Sequence, residues 1–104
     1  MMVHRKEAGG DVVEIAVDGD LNAQTVLEFR EALYAELERT TRRILLNLSS
    51  VHSINSAAIG AILLFQKRAH EQNQEIVITG ISDELQRIFQ AIRIDTLIKI
   101  STGS

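Results

Sequence analysis

The chain contains no cysteine, so disulfides, thiolate chemistry and any cysteine-based zinc site are excluded. Long apolar runs are missing too. The longest, Ala57 to Phe65, falls far short of the roughly 20 residues that a membrane helix needs. Basic runs are short, as at Arg42-Arg43 and His4-Arg5-Lys6, and the net charge is -3, so nucleic acid is not an expected partner. The N-terminus carries no apolar core of a signal peptide. A cytoplasmic protein is expected.

Catalytic signals are equally sparse. His4, His52 and His70 fall on an edge strand, a loop and a helix end, without ligand spacing between them. None of the six glycines forms a phosphate-cradling pattern. Ser56 lacks the flanking glycines of a nucleophile elbow and has no evident His partner. Neither an enzyme nor a cofactor is expected.

What is present is an ordinary globular composition, 45% hydrophobic and 24% charged over 104 residues, enough for one core and too little for two. One domain spanning 1–104 is expected. Gly9-Gly10 separates a weakly alternating segment from Val12, Val13, Ile15 and Val17, which reads as an antiparallel hairpin with a charged edge strand. After Asp18-Gly19-Asp20, Asn22 or Thr25 starts a helix whose stripe Val26, Phe29, Leu33 and Leu37 faces a sheet, leaving Glu31, Glu36, Glu38 and Arg39 solvated. Ile44 to Leu48 is almost continuously apolar, as a central strand covered on both faces would be.

A second helix follows from about Ser56 to His70, apolar all round in its first half, and then a strand at Ile76 to Ile78. Gly80 breaks that strand. Ser82 caps a short helix bearing Leu85, Ile88, Phe89 and Ile92 at helical spacing, and Leu97 to Ile100 forms the last strand before a loose tail at Ser101 to Ser104. The fold class expected is α/β: a mixed, mostly parallel sheet of four to five strands, built from a hairpin and three strand-helix-strand units.

Chemistry concentrates where the second helix begins. Ser53, Asn55 and Ser56 can each accept a hydrogen bond from an unpaired N–H of the first turn, and a serine here often serves only as a cap. If Asn55 is the cap, Ser56 sits at the first helical position with a free hydroxyl, where the helix dipole favours an added negative charge. Ser56 is then a candidate phosphate acceptor. Gly60 costs the helix about 1 kcal/mol relative to Ala, which suggests a close approach rather than helix formation.

Three stretches together resemble the STAS domain of bacterial anti-sigma-factor antagonists: Gly19-Asp20-Leu21-Asn22, Leu46-Asn47-Leu48-Ser49-Ser50-Val51 leading into Ile54-Asn55-Ser56-Ala57-Ala58-Ile59-Gly60, and Ile81-Ser82 followed by Arg87-Ile88-Phe89. The resemblance covers almost the whole chain. It implies that Ser56 is phosphorylated by an anti-sigma factor that is itself a serine kinase, that Asp20, Asn22, Asn55, Ala57, Ala58 and Ile59 meet this partner, and that a PP2C-type phosphatase resets the cycle. Departures lie at Asn22 and Asn55, where the family usually has Asp, at Ala57 and Ala58, which replace a hydroxyl residue and a Gly, and at Arg93, where Gly is common. The alternative is a STAS-type ligand sensor or scaffold in which Ser56 only caps. If exposed, Ala58, Ile59 and Ile62 would also let two copies pair weakly.

Overall fold

The structure is a computed structural model that describes residues 2–101; the tail residues 102–104 lie outside it. Strands β1 (Val3–Glu7), β2 (Val12–Val17), β3 (Arg43–Asn47), β4 (Glu75–Thr79) and β5 (Lys99–Ser101) form one sheet in the order β1-β2-β3-β4-β5. The hairpin β1–β2 is antiparallel and every later pair is parallel. Helices α1 (Val26–Leu37), α2 (Ser56–Glu71) and α3 (Asp83–Ala91) are the three crossovers. The expected mixed α/β fold is therefore the one observed, with Leu97 and Ile98 preceding the last strand rather than opening it.

Each crossover steps the chain one strand further in the same direction, and right-handed crossovers of that kind put all three helices on one face of the sheet. That face carries the core. Val13, Ile44 and Ile76 stand in one row of the register, and Ile15, Leu46 and Ile78 in the next. Phe29 and Leu33 of α1, Ala58, Ile62 and Phe65 of α2, and Leu85 and Phe89 of α3 close over them. Each such apolar side chain contributes about 1.5–3 kcal/mol by leaving water.

The opposite face is open. Leu45 and Val77 lie there outside the core cluster, between Glu14 and Lys99, with Arg43 paired to Glu75 one row away. Ile44 to Leu48 is thus a central strand covered on one side only, because sequential strand order leaves no crossover to shield the other.

Glu36, expected on the solvated side of α1, is only 1% exposed. It accepts hydrogen bonds from Arg5 and Thr41 and pairs with Arg39, because Arg5 points to the core side of β1 and so faces α1. The bond to Glu36 raises the Arg5 guanidinium pKa against the opposing effect of burial. Gln74 closes the same corner by donating to the carbonyls of Glu36 and Thr41.

Arg93 holds a left-handed backbone, φ 66°, immediately after α3. A glycine adopts that conformation without the Cβ penalty, at the cost of a more flexible unfolded chain. Arg93→Gly is expected to stabilise by about 0.5–1 kcal/mol, a few degrees in Tm by thermal denaturation.

Candidate functional site

Three loops meet at the C-terminal ends of the parallel strands, the end where open α/β sheets hold their sites. They follow β2, β3 and β4. Buried Leu21, Leu48 and Val51 pin the first two to the core. Leu21 and Ile54 then form an isolated parallel bridge: the Leu21 N–H donates to the Ser53 carbonyl at 3.0 Å and the Asn55 N–H donates to the Leu21 carbonyl at 2.9 Å.

Asp20 fastens the same two loops, since its Oδ1 accepts from the backbone N–H of His52 at 2.9 Å and of Ser53 at 3.0 Å. A carboxylate oxygen that holds two N–H donors makes charge-assisted bonds, the stronger kind. Asp20 therefore shapes the loop that delivers Ser56. The third loop contributes Gly80, at φ +65°, tucked against Asn47 and Ser49 at the root of the β3–α2 connection.

Asn55 is the N-cap of α2, its Oδ1 accepting from the Ala58 N–H at 2.8 Å. That leaves Ser56 at the first helical position, exposed, and among the described residues its hydroxyl has no hydrogen-bond partner. Asn22 folds into a local turn instead of capping α1: its Oδ1 accepts from the Gln24 N–H at 2.9 Å, while Thr25 occupies the cap position and its hydroxyl donates to the Asp20 carbonyl at 2.8 Å. Sequence reasoning missed the bridge that brings the loops bearing the two asparagines together. The asparagines occupy the register positions next to the Leu21–Ile54 bridge, and nothing in their local sequence links them.

The remaining residues divide by orientation. Ala57 is exposed and Ile59 half-buried, so both border Ser56 on the surface. Ala58 is fully buried and drops out of any partner contact, because it points to the sheet with Ala61, Ile62 and Phe65. The same inward turn removes Ala58 and Ile62 from the proposed face for pairing two copies. Gly60 faces outward, and among the described residues nothing beyond its chain neighbours and the adjoining helix backbone lies within 4 Å of where its Cβ would be. No close approach inside this chain explains it.

His4, His52 and His70 are all exposed, and among the described residues no group of three His, Cys, Asp or Glu side chains is placed to hold a metal ion. Among the described residues no helix is long and apolar enough to cross a membrane.

Comparison with known proteins locates this arrangement. The family model described as "Mlab, STAS domain" matches residues 4–99. An anti-sigma-B factor antagonist of Staphylococcus aureus is 30% identical over 91 residues, covering 88% of this chain and 84% of that protein. A putative anti-sigma factor antagonist from Thermotoga maritima superimposes with a TM-score of 0.88 at 24% identity, over 98% of this chain and 87% of the other. The Bacillus cell fate determinant SpoIIAA in its phosphorylated form does so with a TM-score of 0.75 at 15% identity, over 97% and 92%. With nearly its full length matched, the chain belongs to the STAS-domain family.

Proposed function

We propose that this protein is an anti-sigma-factor antagonist worked by phosphorylation. In the unmodified state the surface around Ser56 binds an anti-sigma factor that is also a serine kinase, and so keeps it from its sigma factor. The kinase transfers the γ-phosphoryl group of ATP to Ser56 Oγ, releasing ADP and a proton, and the complex parts. A PP2C-type phosphatase returns the hydroxyl by hydrolysing the phosphate ester.

The observation that carries this reading is the division of labour at the start of α2, where Asn55 takes the capping role and Ser56 is left exposed with its oxygen uncommitted. Its neighbourhood supports docking. Ala57 and outward-facing Gly60 offer low relief, half-buried Ile59 adds apolar area, and the glycine carries a helix penalty of about 1 kcal/mol that no contact within the chain offsets. The naming of the staphylococcal relatives as anti-sigma-B factor antagonists supports the choice of partner class.

The test is intact mass after incubation with ATP and a candidate anti-sigma kinase. A gain of one phosphate, absent in Ser56→Ala, is the expected result. A second reading, ligand sensing, draws support from a groove of about 480 Å³ between β1 and α1, lined by Val3, Ile15 and Ala32 together with the charged side chains of Arg5, Glu28 and Glu36. No phosphate gain with any kinase, together with a small molecule copurifying in that groove, would replace the first reading by the second.

A further inference from the structure

Asp20 belongs to the loop after β2, yet its side chain is spent on the loop that ends at Ser56. A single oxygen, Oδ1, takes the N–H groups of both His52 and Ser53, 32 and 33 positions further along the chain. The next residue completes the grip, since the Leu21 N–H donates to the Ser53 carbonyl and the Leu21 carbonyl accepts from the Asn55 N–H. Two consecutive residues thereby hold both backbone groups of Ser53 together with the N–H groups of His52 and Asn55. Ser56 follows directly. Thr25 anchors the gripping side: it stands at the cap position of α1 but makes no side-chain bond to that helix, and its hydroxyl donates instead to the Asp20 carbonyl at 2.8 Å and accepts from the Asn22 N–H at 3.0 Å. A capping threonine stabilises a helix by about 0.5–2 kcal/mol, and here that gain is given up to fix the turn that carries Asp20.

We infer that Asp20 is a positioning residue for Ser56, acting through its grip on the backbone of His52 and Ser53 rather than by presenting a negative charge to the kinase. This rests on the reading that Ser56 accepts phosphate. Among the described residues the Ser56 hydroxyl has no hydrogen-bond partner of its own, so its place is set by the backbone that leads into it. Phosphoryl transfer needs the attacking oxygen close to in line with the leaving group, and a misplacement of about 1 Å costs about 100-fold in rate. A carboxylate oxygen is suited to the task because its bonds to the two N–H groups are charge-assisted. The loop after β2 and the loop before α2 then move as one piece, and the hydroxyl is in place before any partner arrives.

The two roles part on a conservative substitution, because asparagine keeps an acceptor oxygen and removes the charge, whereas alanine removes both. Asp20 is exposed, so neither variant disturbs the core. In the free protein, without any kinase, Asp20→Ala is expected to speed hydrogen exchange of the His52 and Ser53 amides at least tenfold and to move the Ser56 amide resonance, and Asp20→Asn to speed exchange less than threefold. The Ser49 amide, held by Asn47 Oδ1 in the same connection, is expected to keep its rate in both. With the kinase, Asp20→Ala is expected to lower kcat at least tenfold with a smaller change in KM, and Asp20→Asn to keep kcat within threefold of the wild type. Unchanged exchange in Asp20→Ala, or exchange in Asp20→Asn as fast as in Asp20→Ala, would overturn the positioning role. So would an Asp20→Asn protein phosphorylated as poorly as Asp20→Ala, since charge would then be what counts. A wild-type protein that gained no phosphate would instead remove the phosphorylation reading, and the exchange rates and the Ser56 resonance would still decide whether Asp20 sets the place of Ser56.

Discussion

Ser56→Asp is expected to melt within a degree or two of the wild type and yet to bind the proposed anti-sigma partner some tens to thousands of times more weakly. The first half follows from the exposed position and from Asn55, which keeps the cap whatever stands at position 56. A negative charge in the first turn of a helix is tolerated or mildly favourable, by about 0.3–1 kcal/mol. The second half follows from the partner. A charge trapped unpaired in a contact made with Ala57, Ile59 and Gly60 costs about 2–5 kcal/mol, which is the stated range of affinity. Ser56→Ala, with neither charge nor acceptor, is expected to bind persistently in the presence of ATP. Calorimetric titration beside thermal melting separates the two halves, and a Ser56→Asp protein that bound as tightly as the wild type would end the mechanism.

Gly80→Ala is the second large effect, and it acts on folding first. The residue holds φ +65°, and an added Cβ would stand 2.7 Å from Asn47 Oδ1 and 2.9 Å from Ser49 Cβ. A left-handed non-glycine residue costs about 1–2 kcal/mol, and forcing neighbours aside in a packed place costs about 1–3 kcal/mol more. Asn47 Oδ1 accepts from the Ser49 N–H at 2.9 Å, so the push falls on the first residues of the loop that ends at Ser56. A loss of about 2–5 kcal/mol is expected in urea denaturation, with a shift of the Ser49 and Ser50 amide resonances at temperatures where the variant is still folded. A fully stable variant with those resonances unchanged would show that the loop absorbs the methyl freely.

Much of this architecture could be read from local pattern. Gly9-Gly10 between two strand-like segments, the Phe29–Leu33 spacing and the cap before Ala57 are signals that near neighbours send to each other, and each became the element expected. The sequence was silent wherever the decisive neighbour is remote. Glu36 looked solvated because its partner Arg5 is 31 positions away and reaches it only after β1 has paired with β2. Leu45 looked covered because an apolar run does not say on which side the crossovers lie. The position of Ser56 was legible from the polar residues that precede an apolar run. Its surroundings were not: Ala58 differs from Ala57 only by 100° of helix rotation, and the loop of Asn22 reaches the loop of Asn55 only through the bridge of Leu21 to Ile54, 33 residues apart.

The uncovered side of the sheet has a practical use. Ser56, where docking is proposed, lies at the strand ends, away from the outward row of Lys6, Glu14 and Lys99. Because the protein has no native thiol, one cysteine introduced at Lys99 would be the sole attachment point for a fluorophore. Such a dye would report tumbling of the free and captured protein in real time, from a place where neither binding nor phosphate chemistry is touched.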